Sequence, residues 1–145
     1  LIRVPGVSNH HEHHLKDIIA SCNTAPMVNQ IEVHPYLSQE SLRNYCAQEQ
    51  IAVTAWSPLG RGNVLNDDTI VRIAREYDVT PAQIILRWHL QNDVIIIPKS
   101  VTPSRIKENS ELYHFELTKE TMQQLDALNR DERFGQNPDN FKFDF

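Results

Sequence analysis

The chain reads as an α/β protein built on a parallel sheet, and three observations carry that reading. Apolar, β-branched runs recur along it (Pro26 to Val33, Ile51 to Trp56, Val94 to Pro98), each too apolar for a strand with one wet face. Helical periodicity follows the runs, as in Leu42, Tyr45 and Cys46, or Ile70, Ile73 and Ala74. No linker or low-complexity segment interrupts the alternation, so the units belong to one body. Strand, helix and strand in regular succession demand right-handed crossovers and parallel neighbours.

Taken in order, Leu1 to Val4 supplies a short strand that Pro5-Gly6 interrupts. Ser8-Asn9 then precedes a helix marked by Leu15, Ile18 and Ile19 at i, i+3 and i+4. The run Pro26 to Val33, with Gln30 embedded in it, leads through His34-Pro35 to a helix from about Ser38. Ile51 to Trp56 turns at Ser57-Pro58-Leu59-Gly60 into a longer loop, Arg61 to Asp68. Two helices follow. Ile70, Ile73, Ala74 and Tyr77 line the first, and Thr80-Pro81 with Gln83 forms a capping box for the second, whose apolar face holds Ile84, Ile85, Leu86 and Trp88. Val94 to Pro98 is the fourth strand. A last helix begins near Thr118, buries Met122, Leu125 and Leu128, and releases a tail from Phe134 to Phe145. An open doubly wound sheet and a (β/α) barrel both satisfy this pattern. The absence of a G-x-G-x-x-G after any strand counts against the first.

Composition narrows the function classes. The 145 residues make one domain or part of one, and 14 Lys plus Arg against 19 Asp plus Glu give a net charge of -5. Nucleic acid and anionic membrane surfaces are thereby disfavoured as partners. No run approaches the roughly 20 apolar residues of a membrane span, and a cytoplasmic location is expected. Cys22 and Cys46 stand alone and are expected as free thiols. Leu1, where a methionine would open a complete chain, points to a fragment.

The most informative stretch is Ile95 to Asn109, IIIPKSVTPSRIKEN. Its opening apolar run predicts a strand buried on both faces. Thr102-Pro103 then starts a helix with a hydroxyl cap and a proline at the first helical position. The free N-H groups there, the charges of Lys99 and Arg105, and the hydroxyls of Ser100 and Thr102 describe an anion site. Glu108 and Asn109, one turn further in, are placed to hydrogen-bond a sugar or base attached to a phosphate.

This stretch resembles the adenosine-phosphate site of the aldo-keto reductases, I-P-K-S-V-T-P-x-R-I-x-E-N. RWHLQ (Arg87 to Gln91), VNQIEVHPYLSQ (Val28 to Gln39), AWSPLG (Ala55 to Gly60) and GVSN (Gly6 to Asn9) resemble the same family in the same order, with its prokaryotic 2,5-diketo-gluconate reductase-like members as the nearest pattern. The resemblance implies that residues 1–145 are the C-terminal half, strands five to eight, of a single (β/α)8 TIM barrel domain whose N-terminal half lies outside this chain. It implies NADPH as cofactor and small carbonyl compounds, aldehydes or ketones, as substrates. Ser8, Asn9 and Gln30 would bind the nicotinamide carboxamide, and Trp56 would stack on its ring. Ser57, Pro58, Leu59 and Gly60 would follow the pyrophosphate. Lys99, Ser100, Val101, Thr102, Arg105, Glu108 and Asn109 would hold the 2'-phosphate and adenosine. The loop Arg61 to Asp68 and the C-terminal tail would shape part of the substrate pocket. His10 and Pro5 depart from the family's usual residues beside GVSN.

The family's proton-transfer residues, Tyr, Lys, Asp and His, belong to the absent half, so no catalytic residue is assigned here. His34 and Tyr36 of EVHPY are expected to be structural. Half a barrel leaves two unpaired sheet edges, which the missing half or a second copy should cover. The alternative is a non-catalytic half barrel that binds a nucleotide or a partner. His10, His11, His13 and His14 raise a metal reading, but HExxH fails at Leu15, and a solvated helix start is preferred. Glu32 has no definable carboxylate partner for glycoside hydrolysis.

Overall fold

The computed structural model describes residues 2–140. Its strands β1 (Gly6–Ser8), β2 (Val28–Glu32), β3 (Ala52–Trp56) and β4 (Val94–Ile96) form one sheet, ordered β1-β2-β3-β4 with every neighbouring pair parallel. A doubly wound sheet reverses its strand order partway along. This sheet advances in one direction, as a barrel wall does. The helices are α1 (Glu12–Ser21), α2 (Glu40–Gln48), α3 (Asp68–Glu76), α4 (Pro81–Gln91), α5 (Pro103–Ser110) and α6 (Lys119–Asp126).

Register separates the two faces of the sheet. Ser8, Gln30, Thr54 and Ile95 are paired across all four strands and share one face. The alternate residues Ile31, Val53, Ala55 and Val94 face the helices and join Leu15, Cys46, Ile70, Ile73, Ile84, Ile85 and Trp88 in one buried cluster. Thr80 caps α4 as its spacing predicts, accepting from the Gln83 N-H while the Gln83 side chain accepts from the Thr80 N-H. Asp67 caps α3 through the amides of Thr69 and Ile70. Trp88 anchors the cluster, fully buried, with its indole N-H donating to Asp126 of α6 at 2.8 Å. Cys22 is exposed and Cys46 buried, both as free thiols.

The structure departs from the sequence expectations in several places. The first strand is Gly6–Ser8, beyond the expected Leu1 to Val4, because the parallel ladder to Val28–Gln30 decides where it forms. Leu1 itself and residues 141–145 of the tail lie outside the described residues. Ile95 and Ile97 are not buried on both faces: they are 48% and 50% exposed, on the side of the sheet that carries no helix, and Met27, just before β2, is 47% exposed. β4 is an edge strand here, and among the described residues no second layer covers this side of it. Thr102 takes the N-cap position of α5 but makes no side-chain cap; Ser100 Oγ instead accepts from the Thr102 N-H at 3.2 Å. In α6 Leu125 is buried and Met122 only half-buried, and Leu128, expected on the same helix, lies beyond its end at Asp126 and is half-buried too.

Replacing Trp88 by Ala removes the largest fully buried side chain and its hydrogen bond. A loss of about 3–5 kcal/mol in unfolding free energy by urea titration is expected.

Candidate functional site

Parallel strands bring the loops that follow them to one end of the sheet, and a cleft of about 900 Å³ opens there between Ser8, Asn9, Trp56, Arg61 and the tail residues Phe134 and Gly135. Asn9 turns the chain out of β1 with a left-handed φ of 58°, a conformation that Asn tolerates better than most residues. Its N-H and the Ser8 hydroxyl both donate to the Gln30 carbonyl at 2.9 Å. Its side-chain oxygen accepts from the Trp56 indole N-H at 2.6 Å. Fully buried Asn29 holds the next residue, donating to the His10 carbonyl at 2.8 Å and accepting from its N-H at 3.4 Å. The Gln30 side chain sits half-buried on the helix-free face, its amide unbonded among the described residues.

After β3 the backbone is left-handed at Ser57 (φ 49°), Gly60 (53°), Arg61 (55°) and Gly62 (90°). Gly60 is required for space as well as conformation, since a Cβ there would lie 2.9 Å from the Phe134 ring and 3.1 Å from Val64. The Pro58 carbonyl is fixed from below by His89 of α4, whose Nε2-H donates to it at 3.0 Å. Complete burial pushes the His89 pKa down to about 3, so the ring is neutral.

Glu32, at the end of β2, is almost fully buried. Its carboxylate accepts from the backbone N-H of Phe134 at 2.8 Å, from Gly135 at 3.1 Å, and from His34 Nε2 at 3.2 Å. A buried carboxylate is tolerated when donors surround it. His34 stacks on Phe134, ring centres 4.9 Å apart, and burial lowers its pKa. The tail is thereby laid against Trp56: a Cβ on Gly135 would come within 2.3 Å of the indole. Tyr36 donates to Asp67 at 2.6 Å under the Arg130 guanidinium. Burial and that hydrogen bond raise its pKa to about 12, which suits a structural tyrosine.

The second group follows β4 at the same end of the sheet. Lys99, Val101, Thr102 and Arg105 are exposed, Ser100 is half-buried, and α5 buries no residue at all. Among the described residues neither Lys99 nor Arg105 enters an ion pair. Glu108 is partly committed, since its carboxylate accepts from the Thr80 hydroxyl at 2.8 Å, and Asn109 beside it is half-buried. None of this group lines the cleft, so the sequence-selected residues form two separate sets, one around Trp56 and one around α5. Asn29, Glu32 and His89 lie inside quoted motifs, but their roles, like that of Gly135, stay hidden in the sequence because each acts on a segment far from it along the chain. Polar residues inside apolar runs are the one available signal.

A parallel sheet in chain order with a cleft at its strand ends is the architecture of (β/α) barrel enzymes. The chain belongs to the aldo/keto reductase family, whose model matches residues 1–130. It is 46% identical over 143 residues to the 9,11-endoperoxide prostaglandin H2 reductase of Trypanosoma cruzi (strain CL Brener), covering 97% of this chain and 50% of that protein. It is 47% identical over 142 residues to the glyoxal reductase of Bacillus subtilis (strain 168), covering 98% and 51%. The structure of a Gox0644 mutant in complex with NADPH superposes with a TM-score of 0.92 at 44% identity, over 95% of this chain and 51% of that one. The chain spans about half the length of the relatives it matches. Among the described residues no helix is long and apolar enough to cross a membrane.

Gly135→Ala should push the tail off the indole and raise acrylamide quenching of tryptophan fluorescence, with Trp88 remaining buried. A second expected outcome concerns pH. His34 and His89 are neutral in the fold, whereas an unfolded histidine titrates near about 6.5, so the unfolded chain binds more protons below that value. Their contribution to stability is fully present above pH 6.5 and declines as pH falls toward about 3. A urea midpoint that stays flat between pH 7 and about 5, above most carboxylates, would contradict the neutral buried rings.

Proposed function

We propose that this chain is the C-terminal half, strands five to eight, of one (β/α)8 barrel of a cytoplasmic NADPH-dependent reductase of small aldehydes and ketones. One observation carries the reading: Ser8, Asn9 and Trp56 are tied together at a cleft whose sheet end also bears Lys99 and Arg105 at the start of α5. The name of the Bacillus relative and the NADPH held by Gox0644 support the substrate class and the cofactor.

The residues fit the group. With its hydrogen donated to the Gln30 carbonyl, the Ser8 hydroxyl keeps lone pairs for an amide NH2, and Asn9, its oxygen engaged by Trp56, keeps its own NH2 for an amide oxygen. Those are the two needs of a carboxamide, and Gln30 offers a third contact. Trp56 supplies a flat apolar face. The backbone from Ser57 through Pro58 and Leu59 to Gly60, left-handed at both ends, joins the cleft residues Trp56 and Arg61, and a pyrophosphate would follow it. Lys99, Ser100, Val101, Thr102 and Arg105 take the 2'-phosphate, and Glu108 and Asn109 the adenosine. NADPH, when bound, supplies a hydride for the carbonyl carbon. The proton for the carbonyl oxygen comes from the other half of the barrel, since Tyr36 is locked to Asp67. That half, or a second copy, covers the sheet edges and the exposed Met27, Ile95 and Ile97.

Arg105→Ala tests the phosphate assignment. In fluorescence titrations NADPH should bind about tenfold more weakly while NADH is unchanged. Equal weakening of both would remove Arg105 from the site. Turnover of a small aldehyde by the chain joined to its N-terminal half separates a reductase from a non-catalytic half barrel that merely binds nucleotide.

A further inference from the structure

His11, His13 and His14 open α1, and by sequence they amount to a solvated helix start. The fold adds a fourth donor that spacing could not reveal. Asp139 arrives from the 3-10 turn Pro138–Asn140, 128 residues from His11, and enters among the three rings. Its Oδ2 lies 2.9 Å from His11 Nδ1, and its Oδ1 lies 3.3 Å from His13 Nε2 and 3.7 Å from His14 Nε2. One ligand atom from each of the four residues falls within 4.8 Å of all the others. A tetrahedral ion with bonds of about 2.0–2.2 Å holds its donors roughly 3.3–3.5 Å apart, so the cluster needs only modest contraction to enclose one.

We propose that His11, His13, His14 and Asp139 form a site for a divalent transition cation, Zn²⁺ in the first instance, which staples the C-terminal segment to the start of α1. Three imidazoles and a carboxylate match the borderline character and four-coordination of that ion, and the absence of sulfur argues against a soft metal. The site is independent of the cofactor assignment.

Loading the site has a structural cost that can be followed. A ring that binds metal through one nitrogen carries its proton on the other. His14 Nδ1 now accepts from the His11 N-H at 3.1 Å, and His11 Nε2 accepts from Arg133 at 3.1 Å. Both contacts are given up on binding, with the His11 proton moving from Nδ1 to Nε2 as the tautomer changes. Arg133 retains the Gln39 side-chain oxygen at 3.2 Å. The affinity is therefore lower than that of a site with prepared ligands. Because His14 and Pro138 also border the cleft, the ion would fix the tail at its rim.

The test is a titration of the purified chain with Co²⁺, followed by its visible ligand-field bands, and with Zn²⁺ by calorimetry. One cation per chain is expected. His13→Ala and Asp139→Asn should each weaken binding by at least about tenfold, since even loss of an outer-shell partner costs that much. The His13 and Asp139 side chains are 62% and 42% exposed, so both variants leave the core intact. Zn²⁺ should also slow tryptic cleavage at Arg133 in the parent and have no such effect in Asp139→Asn. Unchanged affinity or unchanged protection in Asp139→Asn would overturn the proposal, leaving a histidine cluster that binds metal without the tail. Several cations of equal affinity would overturn it as well.

Discussion

Parallel pairing of each strand with its chain neighbour is the constraint on which the other features rest. It forces a helix between consecutive strands, and it sends every strand-to-helix loop to the same end of the sheet. The row Ser8, Gln30, Thr54 and Ile95 fixes the phase of all four strands at once. A slip of one residue would turn Ile31, Val53 and Val94 out of the helical layer and Gln30 into it. The cleft exists because that row is held.

Buried polar side chains then shape the loops. Asn29, Glu32, His34 and His89 are all withdrawn from water, and each except His34 holds backbone groups of a segment at the cleft. His34 acts one step removed, through Glu32 and the Phe134 ring. Such groups contribute less to stability than apolar residues of similar volume and more to definition, because a buried donor or acceptor tolerates few backbone arrangements. The site of this family member is thus braced from within the fold, and its exposed residues inherit their positions.

Local signals are legible in the sequence and distant ones are not. The capping box at Thr80, the apolar face of α4 and the β-branched cores of β2 and β3 are encoded within a few residues, and each appears where periodicity places it. The first strand lies away from its expected place because Gly6 has poor intrinsic strand preference and takes its conformation from Val28. Ile95 to Ile97 reads as doubly buried because a β-branched apolar run looks the same in sequence whether or not a second layer covers it, and here Ile95 and Ile97 are exposed. The residues around the cleft and around α5 are legible through motif resemblance, and the hydrogen bonds of Ser8 to Gln30, Asn9 to Trp56 and Glu108 to Thr80 become visible only in three dimensions. The carboxylates that reach across the fold, Glu32 to Phe134 and Asp139 to His11, have no local signature at all.

The segment from Ser57 to Gly62 holds four left-handed residues in six, two of them without the freedom of glycine. A β-branched side chain at Ser57 or Arg61 would meet its own backbone, at roughly 1–2 kcal/mol per position. Replacement at the four positions of this corner is therefore least strained for Gly, Asn and Asp and most strained for β-branched residues, whatever the neighbouring loops tolerate. Its outline is set by torsional permission, which makes it the portion of the rim where shape outlasts changes in chemistry.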